Sequence, residues 1–200
     1  MDSDIRKINC VDLLTKPLFC APSDYNRGIS NKFEFFIMTT VLNRDSIQVK
    51  RDLQRRIEDY VIQYCEALEE NFKQYSLNSY KRSIQENRFP ENTKYYQEQI
   101  EEIENGSANL YKWDYKVGKK FIKVFNLQYQ ESCDYYNRPA GYRAGSVTAF
   151  IDKNTGEVYK PASWKAPAKH VRFDMRIIKE REFLHNPKNV DWAGGHLYMR

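Results

Sequence analysis

The stretch GSVTAFIDKNTGEVYK, residues 145–160, decides the fold. Its first half alternates and is rich in β-branched and aromatic side chains, which suit the pleated surface of a strand. Asp152-Lys153-Asn154-Thr155-Gly156 then reads as a turn. Asp and Asn favour chain reversal, and Gly supplies the positive φ that a short loop needs. Strand character resumes at Glu157-Val158-Tyr159-Lys160. The stretch predicts a β-hairpin with its turn at 152–156.

Upstream, KKFIKVFNLQYQ, residues 119–130, alternates in the same way and adds a strand. SCDYYNRPAGYRAG, residues 132–145, is the longer loop between them. A loop holding Tyr135, Tyr136, Arg138 and Tyr142 suits either an interface or packing over the sheet. Residues 119–160 thus form an antiparallel meander of three to four strands. Downstream, Pro161 and Pro167 lack the amide hydrogen that a ladder needs, which predicts an end to regular pairing. Residues 177–184 suit a short helix. Gly194-Gly195 marks a turn, and the apolar tail after it suits an edge strand.

Toward the N-terminus the period changes. Leu53, Ile57, Tyr60, Val61, Tyr64, Leu68 and Phe72 recur at spacings of three and four, one apolar face of a helix. The helix is expected at about 46–77, with Asp45 and Gln48 as a variant capping box. Tyr96, Ile100 and Ile103 define a second helix at about 93–104, ended by Asn105-Gly106. KFEFFIMTTVL, residues 32–42, reads as a buried strand from its aromatic and β-branched content, with a direct lead into the helix as the alternative. Residues 1–32, broken by Pro17, Pro22 and Gly28, read as an irregular arm. The fold class is α+β, the meander packed against one long and one shorter helix. The chain divides into residues 1–110, an arm plus helical region, and 111–200, a basic β-rich module, or forms a single integrated domain.

Charge is distributed unevenly. Residues 1–110 carry 15 Lys+Arg against 18 Asp+Glu, a balance of −3; residues 111–200 carry 17 against 9, a balance of +8. A basic half suits a polyanionic partner, or attraction between halves or subunits. No apolar run reaches the roughly 18 residues that a membrane span needs. The acidic start MDSDIRKINC lacks the basic opening of a signal peptide and predicts an intracellular protein. Cys10, Cys20, Cys65 and Cys133 are scattered, and His170, His185 and His196 complete no zinc spacing. No metal or other cofactor is expected.

The densest basic segment is TGEVYKPASWKAPAKHVRFDMR, residues 155–176. Lys160, Lys165, Lys169, His170, Arg172 and Arg176 lie among Tyr159, Trp164 and Phe173. Spaced cations bind phosphates, and exposed bases stack on aromatic faces. These residues, Phe173 aside, are the candidate nucleic-acid site, on a platform lifted from the sheet. The competing reading makes Trp164 and Phe173 core anchors with solvated lysines around them. Asp152, Glu157 and Lys160 superficially match a metal-dependent nuclease set. The strand period opposes it, because Glu157 points with Tyr159 and away from Lys160. A thiol nucleophile at Cys133 would need a His partner that the spacing does not supply. No glycine-rich phosphate loop is present.

Two motifs in the basic half resemble a family of small proteins of tailed bacteriophages. The first is Thr155-Gly156-Glu157-Val158-Tyr159-Lys160 followed by Ala162 to Lys169; the second is the end Tyr198 to Arg200. Many family members carry Gly after the Arg that follows the Pro-Ala-Lys, where this chain has Phe173, so a different turn is expected there. The resemblance covers roughly the last 60 residues. It implies a viral protein in the host cytoplasm or the virion. The expected function is non-enzymatic binding of nucleic acid, single-stranded and DNA ahead of RNA. The alternative is a virion structural or assembly protein that meets other subunits, or a homo-oligomer, through its basic segment and arm. A third reading is a protein that binds and disables a host factor.

Overall fold

An apolar face from Leu53 to Phe72 packs the main helix into the core. The computed structural model describes residues 31–86, 89–133, 135 and 137–198. Helix α1 runs Asn31–Gln85. It contains neither Gly nor Pro, and Pro90 stands just beyond its end. Absence of a breaker therefore decides against the expected strand at 32–42, whose backbone is helical. The aromatic and β-branched content there is only a weak β preference. Asp45 consequently lies inside α1 and starts nothing, while Gln48 Nε2 donates to Asp52 Oδ1 at 3.0 Å. The expected arm falls, up to residue 30, outside the described residues. Residues 44–200 form a compact unit that holds the sheet and both later helices.

After α1, a single 3₁₀ turn at Pro90–Asn92 leads into α2, Thr93–Glu104. Gly106, at φ 75°, closes α2 as expected of a left-handed glycine. Tyr80 of α1 stacks on Tyr96 of α2 at 6.0 Å, and Lys81 reaches Glu104 at 3.4 Å.

Five antiparallel strands follow in sequence order: β1 Lys112–Val117, β2 Phe121–Gln130, β3 Gly141–Asp152, β4 Glu157–Pro161 and β5 Pro167–Asp174. The meander is therefore longer than expected at both ends. The hairpin of β3 and β4 forms as read, with Phe150 opposite Tyr159 and Ile151 opposite Val158. Its turn rests on Asp152, whose carboxylate accepts from the amides of Asn154 and Thr155, while its carbonyl accepts from Gly156 at 2.8 Å. Gly156 has φ 73°. Gly156→Ala is expected to cost about 1–2 kcal/mol, the strain of a side chain in that region. A urea melt of the variant checks this, and an unchanged midpoint would contradict the turn.

Pairing does not end at the prolines. Pro161 is the last residue of β4, Pro167 the first of β5, and the two are opposite each other. Each missing amide hydrogen thus falls at the ladder's end, where it interrupts nothing. The turn between them closes through Ala162 and Ser163 amides on the Ala166 carbonyl. The Ser163 hydroxyl accepts from the amides of Lys165 and Ala166.

The two faces of the sheet differ. Val117, Ile122, Ile151, Val158 and Phe173 form one row across all five strands. Four of them, Val117 excepted, are in the core with Ile57, Val61, Tyr64 and Leu68 of α1. Each fully buried side chain of this kind contributes about 1.5–3 kcal/mol. Helix α3, Ile178–Leu184, brings Phe183 flat against Phe173 at 5.3 Å. The tail adds no edge strand within the described residues. Gly195–Leu197 is instead a 3₁₀ turn that buries Leu197 completely. It is pinned to α1: Tyr64 and His196 share a 2.8 Å hydrogen bond, and Asn71 accepts from the Trp192 amide and donates to the Pro187 carbonyl.

Candidate functional site

The next row across the sheet is Lys116, Lys123, Phe150, Tyr159 and Val171. It points to the outer face, because neighbouring strand residues alternate sides. Lysines sit at its β1–β2 end and aromatics in its middle. The β4–β5 turn brings Trp164 to the same face, its ring 6.1 Å from that of Phe125. Lys123 Nζ stands 4.1 Å from the centre of the Trp164 ring, a cation–π contact.

A cleft of about 380 Å³ opens here. Lys116, Lys119, Lys120, Lys123 and Lys165 line it with Phe121, Phe150 and Trp164. No carboxylate is among its lining residues. Asp152 lies just beyond, 3.7 Å from Lys120, whose side chain remains largely exposed. Phe150 is 4% exposed and Trp164 43%. Trp164 is therefore a presented ring and not a core anchor, whereas Phe173, also 4% exposed, is one. The core-anchor reading thus holds for Phe173 and fails for Trp164.

The candidate residues of the 155–176 segment do not all converge. Trp164 and Lys165 line the cleft. Tyr159 is on the same face, edge-on to Phe121 at 5.7 Å, but its hydroxyl donates to Glu157 Oε2 at 2.8 Å. Burial, then this hydrogen bond to a carboxylate, pushes its hydroxyl up to about 12. Lys160 shares the opposite face with Val158 and holds its ammonium 3.4 Å from the Tyr198 ring centre. Arg176 grips Asp174 through two nitrogens, at 2.6 Å for the shorter contact. That pairing holds the Asp174 carboxyl below the usual carboxylate range. Lys169 and His170 are exposed on β5, and Arg172 is half-buried at the bulge that separates Val171 from Phe173. Lys169 shares a strand face with Val171, on the edge strand beyond Tyr159.

Four cleft lysines, Lys116, Lys119, Lys120 and Lys123, were not among the sequence-predicted residues. The signal was available: in KVGKKFIK, residues 116–123, four lysines cluster about a glycine turn. The other groups of the chemical readings have structural work. Asp152 holds a turn, Glu157 accepts from Tyr159 and Thr155, and Lys160 is on the far face. His185 Nε2 meets the Tyr60 carbonyl at 3.0 Å, and His196 bonds Tyr64. Burial and nearby carboxylates push the Cys65 thiol up to about 12. Cys133 bridges Arg138 through its backbone, and Cys10 and Cys20 lie outside the described residues.

A family model described as a family of unknown function, DUF7717, matches residues 43–199. The chain belongs to DUF7717. The DUF7717 match begins inside α1 and takes in α2, all five strands and α3, so the cleft lies wholly within it. No curated protein and no solved structure matches the chain.

Proposed function

We propose that this DUF7717 chain is a non-enzymatic protein of a tailed bacteriophage that binds single-stranded DNA on the outer face of its sheet. One observation carries the reading: five lysines and an exposed tryptophan share a cleft that no carboxylate lines. Lysines neutralise phosphates, and Trp164 offers a base a stacking surface that only an unpaired base can use. The site is displaced from the 155–176 segment toward the β1–β2 hairpin, and Lys160 and Arg176 drop out of it.

The test is a titration of the full chain with a thymidine dodecanucleotide across a salt series. Three phosphates at roughly −0.7 each give an expected log–log slope of about −2. Lys119→Ala with Lys120→Ala is expected to flatten the slope, and Trp164→Ala to weaken binding by about 1–3 kcal/mol. Lys160→Ala is expected to change nothing, since its ammonium faces Tyr198. Absence of binding at low salt would sink the reading.

A further inference from the structure

The cleft is bounded, and its bounds set how much strand it can hold. We infer that the site takes an unpaired segment of about three nucleotides, with one base stacked, and does not track a long strand. This rests on the reading above and goes beyond it, from a class of partner to the size and form of the ligand.

Three observations limit the site. The first is the supply of cations. Lys123 is engaged by the Trp164 ring, and Lys120 leans on Asp152. That leaves Lys116, Lys119 and Lys165 to meet phosphates, one each. The second is the acids that flank the lysines. Along β1, Asp114 precedes Lys116 on the same face and stands opposite Phe125. Across the sheet lie Asp152 and Glu157, while Asp174, opposite Glu157, is already paired with Arg176. A phosphate advancing along β1 meets Asp114, and one advancing along β4 meets Glu157.

The third observation is the number of stacking seats. Lys123 occupies one face of the Trp164 ring. Phe150 is buried, Phe121 is held edge-on between Phe150 and Tyr159, and Phe125 is tilted against Trp164 with Lys123 5.8 Å from its ring centre. The Tyr159 hydroxyl is committed to Glu157. One aromatic face therefore remains for one base. The lysine field spans about three to four residues along the strands, on the order of 10–13 Å at the usual strand rise. Such a site suits a strand end, a short gap or a loop more than a coated single strand.

The experiment titrates the full chain with 5′-phosphorylated thymidine tri-, hexa- and dodecanucleotides, so that even the shortest carries three phosphates, each over a salt series. A three-nucleotide site finds about ten overlapping registers on the dodecanucleotide. Apparent affinity should then rise no more than about tenfold from the shortest to the longest, by counting alone. The salt slope should stay near about −2 at every length. Asp114→Lys, which extends the basic field by one row, should steepen the hexanucleotide slope by about 0.7 and leave the trinucleotide slope unchanged. An affinity gain beyond about a hundredfold, or a slope that steepens with length in the parent chain, would overturn the short footprint while leaving nucleic-acid binding intact. Failure to bind even the dodecanucleotide overturns both.

Discussion

Trp113→Ala is expected to cost about 3–5 kcal/mol of folding stability, the range for removing a large aromatic from a core. Trp164→Ala is expected to cost about 1 kcal/mol or less, because its ring is already half in water. The two tryptophans lie on opposite faces of one sheet. Trp113, in β1, is 5% exposed and its ring centre is 6.0 Å from that of Phe72 on α1. Its indole nitrogen donates to the Thr148 hydroxyl at 2.9 Å, and its amide donates to Glu69 at 2.7 Å. Alanine would leave a cavity and strand the buried hydroxyl, so the loss has two parts. Trp113→Phe separates them: it keeps most of the volume and loses the N–H, for about 1 kcal/mol. Urea unfolding of the three variants supplies the measurement. A Trp164→Ala loss equal to that of Trp113→Ala would mean that the two faces have been assigned wrongly.

That contrast shows what the sequence reveals readily. Periodicity gives burial within an element. Ile57, Val61, Tyr64 and Leu68 are read as one helix face, and all four are fully buried. The hairpin at 145–160 and the helix at 93–104 are equally legible, because local chemistry settles them: Asp152 and Gly156 make the turn, and Gly106 ends the helix. The start of α1 is not legible. Residues 32–42 satisfy a strand preference, and only the lack of any breaker from 31 to 85 keeps them helical. Strand β5 is hidden for a different reason. Proline forbids a ladder position, but Pro161 and Pro167 stand where the ladder has already ended.

The site was legible only in part because a linear segment is not a surface. Alternation correctly separates Glu157 and Tyr159 from Lys160, yet it cannot say which strands lie alongside. Lys123 reaches Trp164 only because β2 pairs with β3, β3 with β4, and the turn after β4 folds over the outer face. The basic character of residues 111–200 is correct as a composition. Its concentration at Lys116, Lys119 and Lys120 follows from the β1–β2 turn, whose first strand lay outside the expected meander.

Acid should unfold this protein through His196. The ring lies between α1 and the C-terminal turn, 5% exposed, with Tyr64 and Asp191 as its polar neighbours. The Asp191 amide can only donate, so Nδ1 of His196 accepts and the neutral ring carries its proton on Nε2, facing Tyr64. Protonating Nδ1 would break the Asp191 contact and place a charge where water does not reach. Burial outweighs the attraction of the Asp191 carboxylate and brings His196 from 6.5 down to about 4. Between those values the unfolded chain binds a proton that the folded chain does not, so stability falls as pH falls. The loss is absent above pH 6.5, reaches about 2 kcal/mol by pH 5, and approaches about 3 kcal/mol near pH 4, at about 1.4 kcal/mol per unit. His185, also shifted downward by burial, acts in the same direction. Asp174, held below its ordinary 3.8, loses its contribution only at lower pH and does not obscure this window. Urea melts at pH 7, 6 and 5 should show the decline. His196→Gln should be less stable than the parent at pH 7 but lose less on going to pH 5. A parent whose stability is flat from pH 7 to 5, or a Gln variant that declines just as steeply, would show that the buried imidazole does not govern the response.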